Sequence, residues 1–323
     1  MIPNYIKKWL KIIDEMQNDN TYKLAFGRAL IENISFEKYK VVEDKVIIDF
    51  DDISECMLKY YWNQIFYFSL KQAPQLNKEP VICRDTKVLI DLYKKNTNSA
   101  IPKWYDEAIA DIIRFAPEIY DKTIKHISKT LHEHVCWRFK IVNRSEVDIY
   151  DYTPKVSKIV FTKENAQLLK EYSTIIGKLL NYKWAQLLEK FNYAPKIANK
   201  VSSISDKKLR RNSLKKYRDA LLLQYSGKAI DFYTGEELSP DDVSLDHVIP
   251  WSFMYSDDIW NLVLTSKSHN SSKNNSIPDE QTIKKLKERN LKLLSIVSGN
   301  FKDDLEISIK NNYVDRFYYE CKL

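Results

Sequence analysis

Glycine is scarce in this chain. Its 323 residues include only Gly27, Gly177, Gly227, Gly235 and Gly299, scattered from end to end. A loop that cradles phosphates on its backbone N–H groups needs glycines clustered within a few residues, so this scarcity excludes the Walker and dinucleotide-binding loops, and with them ATPases and Rossmann dehydrogenases. Cysteine is equally sparse: Cys56, Cys83, Cys136 and Cys321 lie far apart, with no C-x-x-C pair for a zinc knuckle or redox dithiol. That usage predicts reduced thiols in a cytoplasmic protein. Long apolar runs are missing too, because nothing approaches the ~18 unbroken apolar residues of a membrane span. The opening "MIPNYIKKWLKIIDEM" spaces Ile6, Trp9, Leu10, Ile13 and Met16 as one helix face interrupted by lysines, unlike the continuous core of a signal peptide. The reading is of a soluble protein without an export address or a membrane partner.

What is present points to two folded domains. Hydrophobic residues make up 44% of the chain and aromatics 13%, enough for real cores at a length that suits two domains. Lys and Arg number 51 against 44 Asp and Glu, a net charge of +7 that permits a polyanionic partner without requiring one.

Residues 1–200 read as a mainly helical domain with a few strands. "YKVVEDKVIIDF" predicts a hairpin turning at Glu43-Asp44. In the following "DDISE", Asp52 and Glu55 have capping-box spacing, which accounts for the acidic cluster Asp49, Asp51, Asp52 and Glu55 without a metal. "HEHVCWRF" reads as a half-buried strand, with His132, His134 and Cys136 on one face but too few ligands for a metal site. "FTKENAQLLKEYSTIIGKLLNYKWAQLLEKFN" is the clearest helix, capped by Thr162. Pro195 and the Ser-rich stretch after it mark the domain boundary, near residue 200. A basic helix follows, "DKKLRRNSLKKYRDALLLQYSG", whose Lys207, Lys208, Arg210, Arg211, Lys215 and Lys216 are candidate phosphate contacts.

Downstream lies "SLDHVIPWSFMYSDDIWNLVLTSKSHNSSKNNSIP". The short apolar runs Val248–Pro250 and Trp260–Leu264 suit two strands, and the polar run from Ser266 to Asn275 starts a helix. That order, D-H-x-x-P-x-S-F, then W-N-L-V-L, then H-N-x-x-K, resembles the HNH, or His-Me finger, nuclease motif in its ββα-metal form. The nine-residue interval from Asn261 to Asn270, with Lys273 three residues on, is similar to the HNH domain of CRISPR effector nucleases. The preceding "YSGKAIDFYTGEELSPDDVSLDH" looks like the lead-in of HNH restriction endonucleases. The match covers roughly residues 225–278, inside a second domain at 201–323. The expected fold is therefore α+β and predominantly helical, with a helical recognition or dimerisation domain followed by a ββα-metal nuclease domain flanked by helices.

The resemblance implies a role for each residue type. Hydrolysis of a phosphodiester needs an activated water and neutralisation of developing charge. His247 is suited to take the water's proton and Asn261 to orient that ring through its amide oxygen. Asp246 and Asn270 would hold one Mg²⁺, or Mn²⁺ in its place, and Lys273 would meet a non-bridging phosphate oxygen. His269 is adjacent to Asn270, about 100° away around a helix, so only one of the two can face Asp246; the interval selects Asn270. Asp231-Phe232-Tyr233-Thr234 stands where many HNH proteins carry a first C-x-x-C pair, so no structural zinc is expected and flanking helices must supply the packing. The implied function is a bacterial restriction or phage-defence endonuclease acting on DNA, as a homodimer if both strands are cut. The alternatives are a nonspecific effector nuclease activated by a partner or ligand, and a nucleic-acid-binding protein with a dead finger.

Overall fold

The computed structural model describes residues 2–74, 79–152, 157–203 and 213–322. The fold is α+β and mostly helical, with small antiparallel sheets. The chain divides into two compact units. One comprises Met1–Ser99, Lys103–Asn192 and Ile197–Lys207; the other comprises Ala100–Pro102, Tyr193–Lys196 and Lys208–Leu323. Among the described residues no helix is long and apolar enough to cross a membrane.

The first unit begins with α1 (Asn4–Glu15), which buries Ile6, Trp9, Ile12 and Ile13 along one face, and α2 (Tyr22–Ser35), buried almost all round. The hairpin is β1 (Lys40–Val42) and β2 (Lys45–Asp49), with Glu43 at φ 54° in the turn. Helix α3 (Phe50–Trp62) starts three residues earlier than the capping-box reading requires. Asp49 is its cap residue but caps with no side-chain hydrogen bond, its carboxylate being taken by Lys40 at 2.9 Å. After α4 (Val81–Thr97) and α5 (Tyr105–Phe115) comes α6 (Pro117–Thr130). It continues through a π-helical turn, Leu131–Val135, into α7 (Cys136–Phe139). The strand expected at His132–Cys136 is thus helical. Three alternating residues carry too little pattern to stop a helix already propagating into them, and Cys136 Sγ bonds the His132 carbonyl four residues back.

A short hairpin, β3 (Ile141–Val142) with β4 (Ser145–Glu146), leads to β5 (Lys158–Thr162), which completes the sheet in the order β1-β2-β5 with Ile47 opposite Val160. Helix α8 (Lys163–Glu189) is capped as expected, Thr162 Oγ1 accepting from the Asn165 amide at 3.1 Å, and packs along α2. The short α9 (Ile197–Ser202) ends the unit. Its core is aromatic: Trp9, Trp62, Trp104, Trp184, Phe26, Phe50 and Phe139 are fully buried. Phe139 packs against Trp9 and edge-on to Phe26, and can do so because its neighbour on α2 is Gly27. A Cβ at Gly27 would lie 2.8 Å from the Phe139 ring.

In the second unit α10 (Lys215–Leu222) buries Tyr217, Ala220 and Leu221. The first finger strand is β6 (Val243–His247), upstream of the run Val248–Pro250 that the apolar pattern suggested; Val248 and Ile249 leave the strand and drop into the core. Helix α11 (Trp251–Met254) and a 3₁₀ turn, Ile259–Asn261, connect to β7 (Leu262–Ser266), which pairs antiparallel with β6. Helix α12 (Lys267–Lys273) follows at once, then α13 (Glu280–Leu294), α14 (Asn300–Lys310) and α15 (Tyr313–Lys322). Leu286, Leu293, Leu305 and Tyr318 from these last helices join Ile249, Ile259, Trp260 and Leu262 in one apolar core.

Gly27→Ala is expected to destabilise the first unit by ~1–3 kcal/mol, the usual cost of overpacking a tight core. Adding Phe139→Leu should recover part of the loss. Denaturant unfolding monitored by tryptophan fluorescence reads both, and an unshifted midpoint in Gly27→Ala would refute the close packing.

Candidate active site

Asp246 and His247 end β6, where the strand gives way to the buried Val248-Ile249 pair. Strand alternation sends the two neighbouring side chains to opposite sides, so each has its own set of partners. Asp246 is only 4% exposed. Its Oδ2 accepts from the Tyr233 hydroxyl at 2.5 Å and from Lys273 Nζ at 3.0 Å, while the same ammonium lies 3.3 Å from Oδ1 and donates to the His247 carbonyl at 2.8 Å. Burial, together with the charges of Asp246 and Asp231, pushes the Tyr233 pKa well up. The phenol therefore keeps its proton and donates it to the carboxylate.

His247, 8% exposed, meets a residue not singled out in the sequence: its Nε2 lies 3.0 Å from Asp257 Oδ1. Asn261 does not reach the ring. Both ends of its buried amide are engaged by Ile249, Oδ1 accepting from the backbone N–H at 2.8 Å and Nδ2 donating to the carbonyl at 2.9 Å. The expected ring-orienting contact is replaced by a clamp on the backbone two residues beyond the histidine. Arg289 of α13 supports that clamp from behind, donating to the Ile259 and Trp260 carbonyls of the turn that carries Asn261; burial pushes its guanidinium pKa down.

Ser266 caps α12 by accepting from the His269 amide at 3.1 Å. On this helix Asn270 faces β6: its Nδ2 donates to Ser244 Oγ at 2.7 Å and to the Leu245 carbonyl at 3.2 Å. A carbonyl only accepts, so the amide nitrogen must face β6 and Oδ1 is left available. His269 instead stacks on Tyr233, with ring centroids 4.3 Å apart. The side-chain groups here that could offer oxygens to a metal ion are the Asp246 carboxylate and the Asn270 amide. This hard, oxygen-only pair suits Mg²⁺, which retains several waters. Among the described residues no group of three or more His, Cys, Asp or Glu gathers in the way a zinc site requires. For a cation to take the Asp246 oxygens, Lys273 must move off them.

The turn at Asp231–Gly235 closes the site from the other side. Asp231 is 3% exposed and accepts four hydrogen bonds: from the Tyr233 and Thr234 amides at 2.8 and 3.1 Å, and from Thr265 Oγ1 and the Ser266 amide at 2.8 and 2.9 Å. Burial raises its pKa, but these donors outweigh burial and hold the carboxyl below its usual value. Of the basic candidates, Lys215 and Lys216 are exposed at the start of α10, and Lys207, Lys208, Arg210 and Arg211 lie outside the described residues.

Comparison with known proteins adds to this geometry. Residues 225–279 match the model described as HNH endonuclease, and residues 6–204 match a domain of unknown function (DUF8808). The CRISPR-associated endonuclease Cas9 of Streptococcus mutans is 41% identical over 80 residues, 24% of this chain and 6% of the relative; that of Listeria innocua is 37% identical over 70 residues, 21% of this chain and 5% of the relative. The matched stretch is thus a small part of each of these relatives. No solved structure matches the chain at a comparable level.

Asp231→Ala should destabilise the second unit by at least ~2 kcal/mol, since it strands buried donors that served a charged acceptor. Because the folded pKa is lowered, the stability that Asp231 contributes is present above about pH 4, the ordinary aspartate range, and is lost as pH falls through the lower folded value. Acid unfolding of wild type and Asp231→Asn should therefore converge as pH drops. Parallel curves down to pH 2 would contradict this role.

Proposed function

We propose that this chain, which belongs to the DUF8808 family through residues 6–204 and matches the HNH endonuclease model over residues 225–279, is a divalent-metal-dependent DNA endonuclease of restriction or phage defence. The observation that carries this reading is the docking of α12 on the end of β6, where Lys273 bonds the Asp246 carboxylate and the His247 carbonyl, and Asn270, three residues earlier, bonds Ser244 and the Leu245 carbonyl.

A phosphodiester resists hydrolysis because its anion repels nucleophiles and its leaving oxygen is poor. His247 answers the first difficulty by taking the proton of the attacking water. Asp246 and the Asn270 oxygen would hold one Mg²⁺ or Mn²⁺, which when bound neutralises charge on the phosphate and leaving oxygen. Tyr233 keeps its hold on Asp246, so the carboxylate stays aimed while Lys273 exchanges it for a non-bridging phosphate oxygen. Asn261 keeps the backbone after His247 in place. In this reading residues 1–200 select the DNA or mediate dimerisation, and the basic segment before and within α10 contacts backbone phosphates. One site cuts one strand, so a double-strand break takes a twofold dimer or two visits.

His247→Ala should lower plasmid cleavage by ~10²–10⁴-fold while leaving DNA binding intact. Asn270→Ala should abolish Mg²⁺-dependent cleavage, and His269→Ala should retain much of it. The reverse pattern, with activity on Zn²⁺ or Ni²⁺ but not Mg²⁺, would place the metal ligand one residue away. Discrete plasmid fragments support restriction, whereas a smear supports a nonspecific effector.

Neutralising Lys207, Lys208, Arg210 and Arg211 should weaken binding to all sequences alike and flatten its salt dependence. An unchanged salt slope in a filter-binding titration would return this segment to a solvated surface.

A further inference from the structure

The loop between α11 and the 3₁₀ turn holds a carboxylate against the ring of His247, and it is built to hold it there. Tyr255 opens the loop in the left-handed region at φ 55°, its amide bonded to the Trp251 carbonyl at 2.7 Å. Tyr217 of α10 reaches the loop and donates its hydroxyl to the Asp257 carbonyl at 2.6 Å. Ser256 Oγ donates to Asp258 Oδ2 at 2.5 Å, and the backbone N–H of Asn261 donates to the Asp258 carbonyl at 2.9 Å. The Asp257 side chain is only 13% exposed and that of His247 only 9%. This is a placed carboxylate, unlike a surface acid that happens to lie near a histidine.

An ionised carboxylate can only accept hydrogen bonds, so the imidazole nitrogen facing it must carry the ring's proton. In a neutral ring the other nitrogen then holds the lone pair. We propose that Asp257 is the positioning residue of His247: it fixes the Nε2–H tautomer, makes Nδ1 the atom that receives the water's proton, and stabilises the imidazolium that results. The proton balance closes within the dyad. Water loses a proton to Nδ1, the Nε2 proton stays on the ring, and the positive charge formed lies beside the Asp257 carboxylate. The inference rests on His247 as the base. It assigns to Asp257 the orienting task that the resemblance implied for Asn261, whose side-chain amide is engaged at both ends by Ile249.

The test uses the full chain with histidine labelled in ¹³C and ¹⁵N, the His247 signals being assigned by their absence in His247→Ala. At a pH where the ring is neutral, wild type should show the Nε2–H pattern, and Asp257→Ala should lose it to a mixture of tautomers. In single-turnover cleavage Asp257→Ala and Asp257→Asn should lose about 10–100-fold in rate. DNA affinity and Mn²⁺ affinity by titration calorimetry should stay at wild-type values, a split that general unfolding would not give. An Nδ1–H ring in wild type overturns the proposal, and that spectrum needs no folded variant. So does wild-type turnover in Asp257→Ala when His247→Ala is inactive. If His247→Ala itself cleaves normally, the catalytic reading of His247 fails instead, a result separable from either of these.

Discussion

Asp231 sits where two pieces of chain that are distant in sequence must be held in register: the turn that brings in Tyr233 and the junction of β7 with α12. Its two oxygens divide the work, one taking the turn's amides and the other taking Thr265 and the Ser266 amide. Much of the site's geometry follows from that single carboxylate. With the turn fixed, Tyr233 reaches Asp246 and offers its face to His269; with the junction fixed, α12 starts at Ser266 and presents Asn270 and Lys273 to β6. Four charge-assisted hydrogen bonds at a buried point do here what a bound cross-linking ion does elsewhere, and they need no ligand beyond the chain itself.

Charge balance explains the remainder of the site. A lone buried carboxylate is costly unless a cation or several donors compensate it. Asp246 has Lys273 and Tyr233, and His247 is matched by Asp257. The two acids are thus assigned to different partners on opposite sides of β6. One is compensated by an ammonium and the other by a ring nitrogen. The backbone between them is pinned by Asn261, whose side-chain amide bonds both the N–H and the carbonyl of Ile249.

How much of this was legible in the sequence depended on whether spacing or folding carried the information. Asp246, His247, Asn270 and Lys273 stood out because their order and intervals form a pattern that survives without coordinates; the interval from Asn261 and the position of Lys273 selected Asn270, which of the two is the residue turned toward β6, while His269 stacks on Tyr233. Thr162 was legible as a cap because capping is a local event. Asp257 was not: it is one of two adjacent aspartates in an irregular loop, and only the αL turn at Tyr255 and the hydroxyl of Tyr217 decide which carboxylate faces the ring. Tyr233 stayed hidden because its contact with Asp246 depends on the Asp231 turn. The strand β6 was displaced by a few residues because Val248 and Ile249 look like a strand and are core residues beyond its end. At His132–Cys136 alternation over three positions was outweighed by a helix already under way.

The side-chain hydrogen bonds described for the site join residues at most 40 positions apart, the widest being that of Tyr217 with the Asp257 carbonyl. Closing loops of that size carries a modest entropy cost, and none of these bonds waits on a distant part of the chain. The finger therefore behaves as a cassette whose internal distances travel with it. A stretch similar to it makes up only 5–6% of the Cas9 relatives, within far longer chains. Selection on the surrounding sequence is then free to change what is brought to the cassette without redrawing its chemistry.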